Sequence, residues 1–195
     1  GKPEHFLYTV QNLERLGISS VVIEDKKGLK KNSLFGNDVP QEQESIEKFC
    51  EKIKVGNNIK KTDDFLIIAR IESLILNKGL KDALNRGENY AQAGAGGILI
   101  HSKDKSEKEV FEFVRTFKKN SNLPIVVVPT TYNHVNLEEF KELGVDVVIY
   151  ANHLLRSAYP SMLSTAEAIL MYGRTKEIVE NLMSIKEIIN CIPTH

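Results

Sequence analysis

Five short, almost continuously apolar runs recur along this chain: Ser19–Glu24 (SSVVIE), Phe65–Ile71 (FLIIARI), Gly97–His101 (GILIH), Pro124–Val128 (PIVVV) and Val145–Tyr150 (VDVVIY). A strand with one face in water alternates apolar and polar residues, whereas a strand covered on both faces does not need to. Helical periodicity fills the gaps. Phe6, Val10, Leu13 and Leu16 share one face after Pro3, up to Gly17. Gln41–Val55, Leu80–Ala93, Glu107–Lys118 and Leu137–Leu143 read as further helices, the last ended by Gly144. Alternation of this kind specifies an α/β fold with a parallel sheet and right-handed crossovers.

Two architectures share that pattern, a doubly wound open sheet and a (β/α)8 TIM-type barrel. A dinucleotide-binding sheet carries a Gly-rich turn after a strand, and no GxGxxG follows any strand here. Ala91–Gly97 (AQAGAGG) precedes a strand, so it reads as a helix C-cap and an αβ turn. The barrel is favoured by where the polar residues fall, because barrel chemistry sits at the C-terminal strand ends. Those ends read Glu24 and Asp25, Arg70 and Glu72, His101 and Ser102, Pro129 and Thr130, then Asn152 and His153. Each residue also has a structural reading. Arg70 can pair with Glu72, His101 can be a satisfied strand-end histidine, Thr130 can be a turn residue, and Asn152 and His153 can cap a helix.

Composition excludes several function classes. The 195 residues carry 26 Lys+Arg against 26 Asp+Glu. A zero net charge argues against nucleic acid or an anionic membrane as partner. No apolar run approaches the ~20 residues of a membrane span, and no signal-peptide pattern opens the chain. Cys50 and Cys191 stand in no metal-binding spacing and read as reduced thiols of a cytoplasmic protein.

The segment Asp25–Pro40 (DKKGLKKNSLFGNDVP) is a 16-residue loop without periodicity, carrying Lys26, Lys27, Lys30 and Lys31. Loops longer than about 12–15 residues in compact domains are commonly functional. A lid that closes on an anionic, phosphate-bearing ligand has this composition, and so does a solvated basic loop.

Glu24-Asp25-Lys26 followed by Lys30, Asn32, Ser33 and Leu34 resembles the loop signature of the phosphoenolpyruvate mutase family, within the isocitrate lyase/phosphoenolpyruvate mutase superfamily. The resemblance continues through Ile68–Glu72 (IARIE), Ile98–Lys103 (ILIHSK), Val127–Thr130 (VVPT) and Val148–His153 (VIYANH), nearly the whole chain in order. It implies that the chain supplies strands 4–8 of a (β/α)8 barrel and its C-terminal helices. It also implies a Mg²⁺-dependent isomerase that interconverts phosphoenolpyruvate and phosphonopyruvate, forming a carbon–phosphorus bond in phosphonate biosynthesis. Arg70, His101, Asn32 and Lys30 would then be catalytic, and Ser33, Leu34, Thr130 and Asn152 would bind substrate. Glu24 would serve the metal through water, with Asp25 a second candidate. Where lyase relatives carry a Cys-Gly-His triplet, this chain reads Asn32-Ser33-Leu34, and hydrolase relatives carry Thr at the Asn position. Asn32 therefore favours a mutase over a phosphonopyruvate hydrolase or another 2-oxo acid enzyme.

The chain departs from the family pattern in one respect. The Asp-x-Asp metal motif and the nucleophilic Asp are absent from these 195 residues, and Asp63-Asp64 lies at the opposite strand ends. The expectation is that this chain by itself is inactive, or serves as a non-catalytic binding or assembly subunit, and that another segment or chain completes the barrel. Two regions are expected: a partial barrel over 1–160 with lid loop 25–40, and a helical extension over 161–195. In the superfamily such a final helix packs on a neighbouring barrel, which implies a homo-oligomer, dimer or tetramer, with helix exchange.

Overall fold

The computed structural model describes residues 2–28 and 40–191. The chain divides into two compact units, Gly1–Tyr150 and Ala151–His195.

The first unit is one parallel sheet of β1 (Ser20–Glu24), β2 (Leu66–Ile71), β3 (Gly97–Ile100), β4 (Ile125–Val127) and β5 (Val147–Val148). Its helices are α1 (Pro3–Arg15), α2 (Ile46–Ile59), α3 (Gly79–Gln92), α4 (Lys108–Phe117) and α5 (Leu137–Leu143). Spatial order equals chain order, β1-β2-β3-β4-β5, every pair parallel. A doubly wound sheet reverses direction at a switch point, and this one does not. Right-handed crossovers in one direction place the helices on one face of the sheet, as around a barrel.

Burial follows from that. Along β2, Ile67, Ala69 and Ile71 are buried while Leu66, Ile68 and Arg70 are half-buried. The buried set packs under the helices, with Ala69, Ile71, Ile98, Ile100, Ile125 and Val127 against Phe49, Tyr90, Phe113 and Phe140. Under α1, Phe6 and Val10 meet Phe65 and Ile67 in a smaller cluster. The other face carries Glu24 and Arg70, directly paired across β1 and β2.

Local chemistry explains the element ends. Pro3 and Glu4 open α1 and Arg15 closes it, in accord with the helix dipole. Asn136 and Glu139 form a capping box on α5, and Gly144 ends it at φ 91°. The expected helix at Gln41–Val55 starts later, at Ser45, whose hydroxyl accepts from the Lys48 amide. Residues 42–44 are drawn instead to the first strand's exit: Lys27 N–H donates to Glu42 C=O, Glu44 N–H to Asp25 C=O, and Lys26 bridges Gln43. Short-range periodicity could not register that competing pairing.

The second unit contains α6 (His153–Tyr172), a 3₁₀ turn (Lys176–Asn181) and α7 (Ile185–Asn190). The expected boundary at residue 160 falls inside α6, which runs on through Pro160. Of the described residues of this unit, Ile178 alone is a buried hydrophobe. No described helix is long and apolar enough to cross a membrane.

Candidate active site

The C-terminal ends of β1 and β2 bring four charges together. Arg70 Nε donates to Glu72 Oε1 at 2.5 Å, and Arg70 Nη1 lies 3.4 Å from Glu24 Oε1. Lys26 Nζ lies 3.0 Å from Glu72 Oε2 and 3.5 Å from Glu24 Oε2, and donates to Gln41 Oε1 at 2.9 Å. The Glu72 side chain is wholly buried. Burial pushes its carboxyl up, but Arg70 and Lys26 outweigh that and hold it below the ordinary glutamate range. Arg70 thus has the Glu72 partner that its structural reading anticipated, within a cluster of two cations and two anions.

Beside this cluster lies a second network, centred on the wholly buried Asp25. Asp25 Oδ1 accepts the Glu72 backbone N–H at 3.0 Å. Its Oδ2 accepts from Gln43 Nε2 at 2.8 Å, Tyr90 O–H at 2.8 Å and Arg86 Nη1 at 3.2 Å. Arg86 also donates to Glu44 C=O and to Asp82, which in turn accepts from Ser73. Burial pushes the Asp25 carboxyl up against the pull of Tyr90 and Arg86, and drives the Tyr90 phenol far above its usual range. Asp25 was a candidate metal ligand; four protein donors occupy its oxygens and none of it is exposed, so the structure assigns it to the framework instead. Sequence spacing did not mark Gln43, Asp82, Arg86 or Tyr90, because nothing local brings an α3 face under the exit of β1.

His101 follows β3, two residues beyond Leu99, the register partner of Arg70. It is 4% exposed and its Nδ1 has no protein partner. Burial, then the charge of Arg70, lowers its pKa to about 4, so the imidazole is neutral at pH 7. Thr130 follows β4, half-buried, its N–H donated to Val128 C=O. Asn152 lies in the second unit, exposed at the N-cap of α6 with φ 65° and no side-chain cap bond. Lys30, Asn32, Ser33 and Leu34 lie outside the described residues.

The phosphoenolpyruvate phosphomutase family matches residues 1–170 of this chain. The chain belongs to that family. A phosphonopyruvate hydrolase of Variovorax sp. (strain Pal2) is 38% identical over 93% of this chain and 62% of its own length. The crystal structure of a phosphoenolpyruvate phosphomutase from Streptomyces platensis subsp. rosaceus superimposes with a TM-score of 0.90 at 38% identity, over 97% of this chain and 65% of that one. A phosphonopyruvate hydrolase solved with oxalate and Mg²⁺ gives a TM-score of 0.86 at 34% identity, over 97% of this chain and 64% of that one. The chain spans 54–62% of the length of four curated relatives that it matches. As a phosphomutase-family chain, its five-stranded sheet is an arc of a (β/α) barrel, and the charged cluster lies at the C-terminal ends of that arc's first two strands.

The donors of this phosphomutase-family cluster limit what metal it can hold. Among the described residues, no group of three or more His, Cys, Asp or Glu side chains could hold one. Mg²⁺ favours one or two carboxylates with water and ligand oxygens. Glu24 offers one carboxylate, already ion-paired, and Asp25 offers none. The described donors therefore do not fit a complete magnesium site.

Proposed function

We propose that this chain provides the phosphoryl-binding side of a phosphoenolpyruvate phosphomutase. The observation that carries the reading is the neighbourhood of Arg70 and His101 at one rim: a planar cation held by two carboxylates, beside a buried neutral imidazole with an unpartnered nitrogen. The reaction moves a phosphoryl group from the enolate oxygen of phosphoenolpyruvate to the enolate carbon; the O–P bond breaks and a C–P bond forms. Nothing is added or lost. Such a transfer needs fixed donors on the phosphoryl oxygens and exclusion of water, which would otherwise take the phosphoryl group.

In this reading Arg70 grips phosphoryl oxygens through its guanidinium fork, and the His101 imidazole hydrogen-bonds the same group. Lys30 and Asn32, with Ser33 and Leu34, close over it from the loop, and Thr130 contacts substrate. Mg²⁺ belongs to the reading through the relative solved with it. It would supply positive charge to the enolate and carboxylate oxygens, with Glu24 facing its water shell. The remaining metal carboxylates and the nucleophilic Asp are not among these 195 residues, so the 195-residue chain alone is proposed to be inactive. A homo-oligomer is also part of the reading, supported by the apolar surface of α6, where Leu154, Leu155, Met162 and Leu170 are exposed.

The alternative activity is hydrolysis of phosphonopyruvate, favoured by the 38% identical hydrolase; Asn32 favours the mutase. Phosphorus NMR of the full-length protein with phosphonopyruvate and Mg²⁺ decides. Phosphoenolpyruvate as product supports the mutase, inorganic phosphate supports the hydrolase, and no product rejects both.

A further inference from the structure

Glu72 was not among the residues expected to act, yet it touches both cations of the rim. Its Oε1 takes Arg70 Nε at 2.5 Å and its Oε2 takes Lys26 Nζ at 3.0 Å. Its backbone N–H is fixed on Asp25 Oδ1 at 3.0 Å, and Asp25 is fixed on Gln43, Tyr90 and Arg86. The order of attachment runs from α3 through Asp25 to the exit of β2, and from Glu72 outward to Arg70. A long arginine side chain on an open rim samples many rotamers, and ordering it on ligand binding costs affinity. A buried carboxylate on its Nε removes that freedom beforehand.

We propose that Glu72 is the positioning residue of this site, locking Arg70 and Lys26 into a preassembled cationic pair that receives a phosphoryl group, and that Asp25 anchors it. The proposal rests on the phosphomutase reading only for the identity of the ligand. Removal of Glu72 leaves Glu24, exposed to more solvent, as the carboxylate that both cations share, so Arg70 would swing toward it.

The test is a double-mutant cycle on the full-length protein, read as affinity for inorganic phosphate by titration calorimetry, with melting temperature measured on each variant. Glu72→Gln should weaken phosphate binding about tenfold, and its combination with Arg70→Lys should fall within about threefold of Arg70→Lys alone, because positioning has no value once the fork is gone. Glu72→Asp keeps the buried charge but shortens its reach. It should melt near the wild type and still bind phosphate several-fold more weakly. Where Glu72→Gln does not fold, the same cycle runs with Glu72→Asp. Additive losses overturn the proposal, as does a Glu72→Asp variant of unchanged affinity, or a wild type that binds no phosphate. Turnover of phosphonopyruvate, measured in parallel, judges the phosphomutase reading separately: coupled phosphate affinities without turnover uphold Glu72 and reject the enzyme assignment.

Discussion

His101 is buried with an unpartnered Nδ1, and its pKa of about 4 ties stability to pH. The unfolded chain binds a proton near 6.5, the native state only near 4. The native state therefore keeps its full advantage above pH 6.5 and loses it as pH falls from 6.5 toward 4, by on the order of 3 kcal/mol in total. Urea midpoints of wild type and His101→Asn at pH 7 and pH 5 test this: the drop should be smaller in the variant, and equal drops would refute it. Glu72 acts in a lower window, since its carboxyl is held below 4.5 and its contribution is lost only as pH falls beneath that. Asp25→Asn should be costly, because it places an amide among three side-chain donors and leaves Arg86 without its buried carboxylate. A loss of about 3 kcal/mol is expected, and a variant that melts with the wild type would show that the hub is dispensable. Tyr90→Phe removes a hydroxyl that both donates to Asp25 and accepts from Arg86, for about 1–3 kcal/mol.

Between elements, one close approach sets the packing of the first helices. A Cβ on Gly56 of α2 would meet Ile67 Cδ1 at 2.5 Å and Phe6 Cε1 at 2.6 Å, so the glycine lets α1 and the sheet close over α2. Gly56→Ala gains about 1 kcal/mol of helix propensity but overpacks a site bounded by a rigid ring, costing about 1–3 kcal/mol. The net expectation is a lower melting temperature by calorimetry; a rise would mean that Phe6 yields freely. The turn before β3 is a second such point. Gly94 sits at φ 94°, and a Cβ there would reach Asn57 Nδ2 at 2.7 Å, the group that donates to Gly94 C=O. The Ala91–Gly97 run was legible as an αβ turn because only glycine fits that conformation without strain. The start of α2 was not legible, since residues 42–44 pair with residues 25–27, which are distant in sequence.

On the scale of the whole molecule, the face of the sheet that bears Arg70 is not fully covered. Val22 and Val147, at its two flanks, are 41% and 47% exposed. They are register partners of Ile68 and Val126 on β2 and β4. Within the described residues β1 and β5 are edge strands, and uncovered apolar edges favour association. A purified protein of these 195 residues alone should therefore self-associate in sedimentation and turn over no phosphonopyruvate. A monodisperse, active 195-residue monomer would contradict both expectations.

Sequence alone determined the strand–helix alternation, the rejection of a nucleotide-binding sheet, and the family, because these rest on local periodicity and on motifs of adjacent residues. The placement of Arg70, His101 and Glu24 was visible for the same reason: each ends an apolar strand, and a parallel sheet collects such ends at one rim. Only the tertiary structure decided that Asp25 is a buried anchor rather than a metal ligand, and that Glu72 links the rim's two cations. Asp25 depends on Glu72 and Tyr90, 47 and 65 residues away in the chain, and Glu72 on Lys26 at the exit of another strand, all brought close by the stacking of β1, β2 and α3. No periodicity of 2 or 3.6 encodes a contact at that separation. It exists only once the sheet has set which strand exits are neighbours.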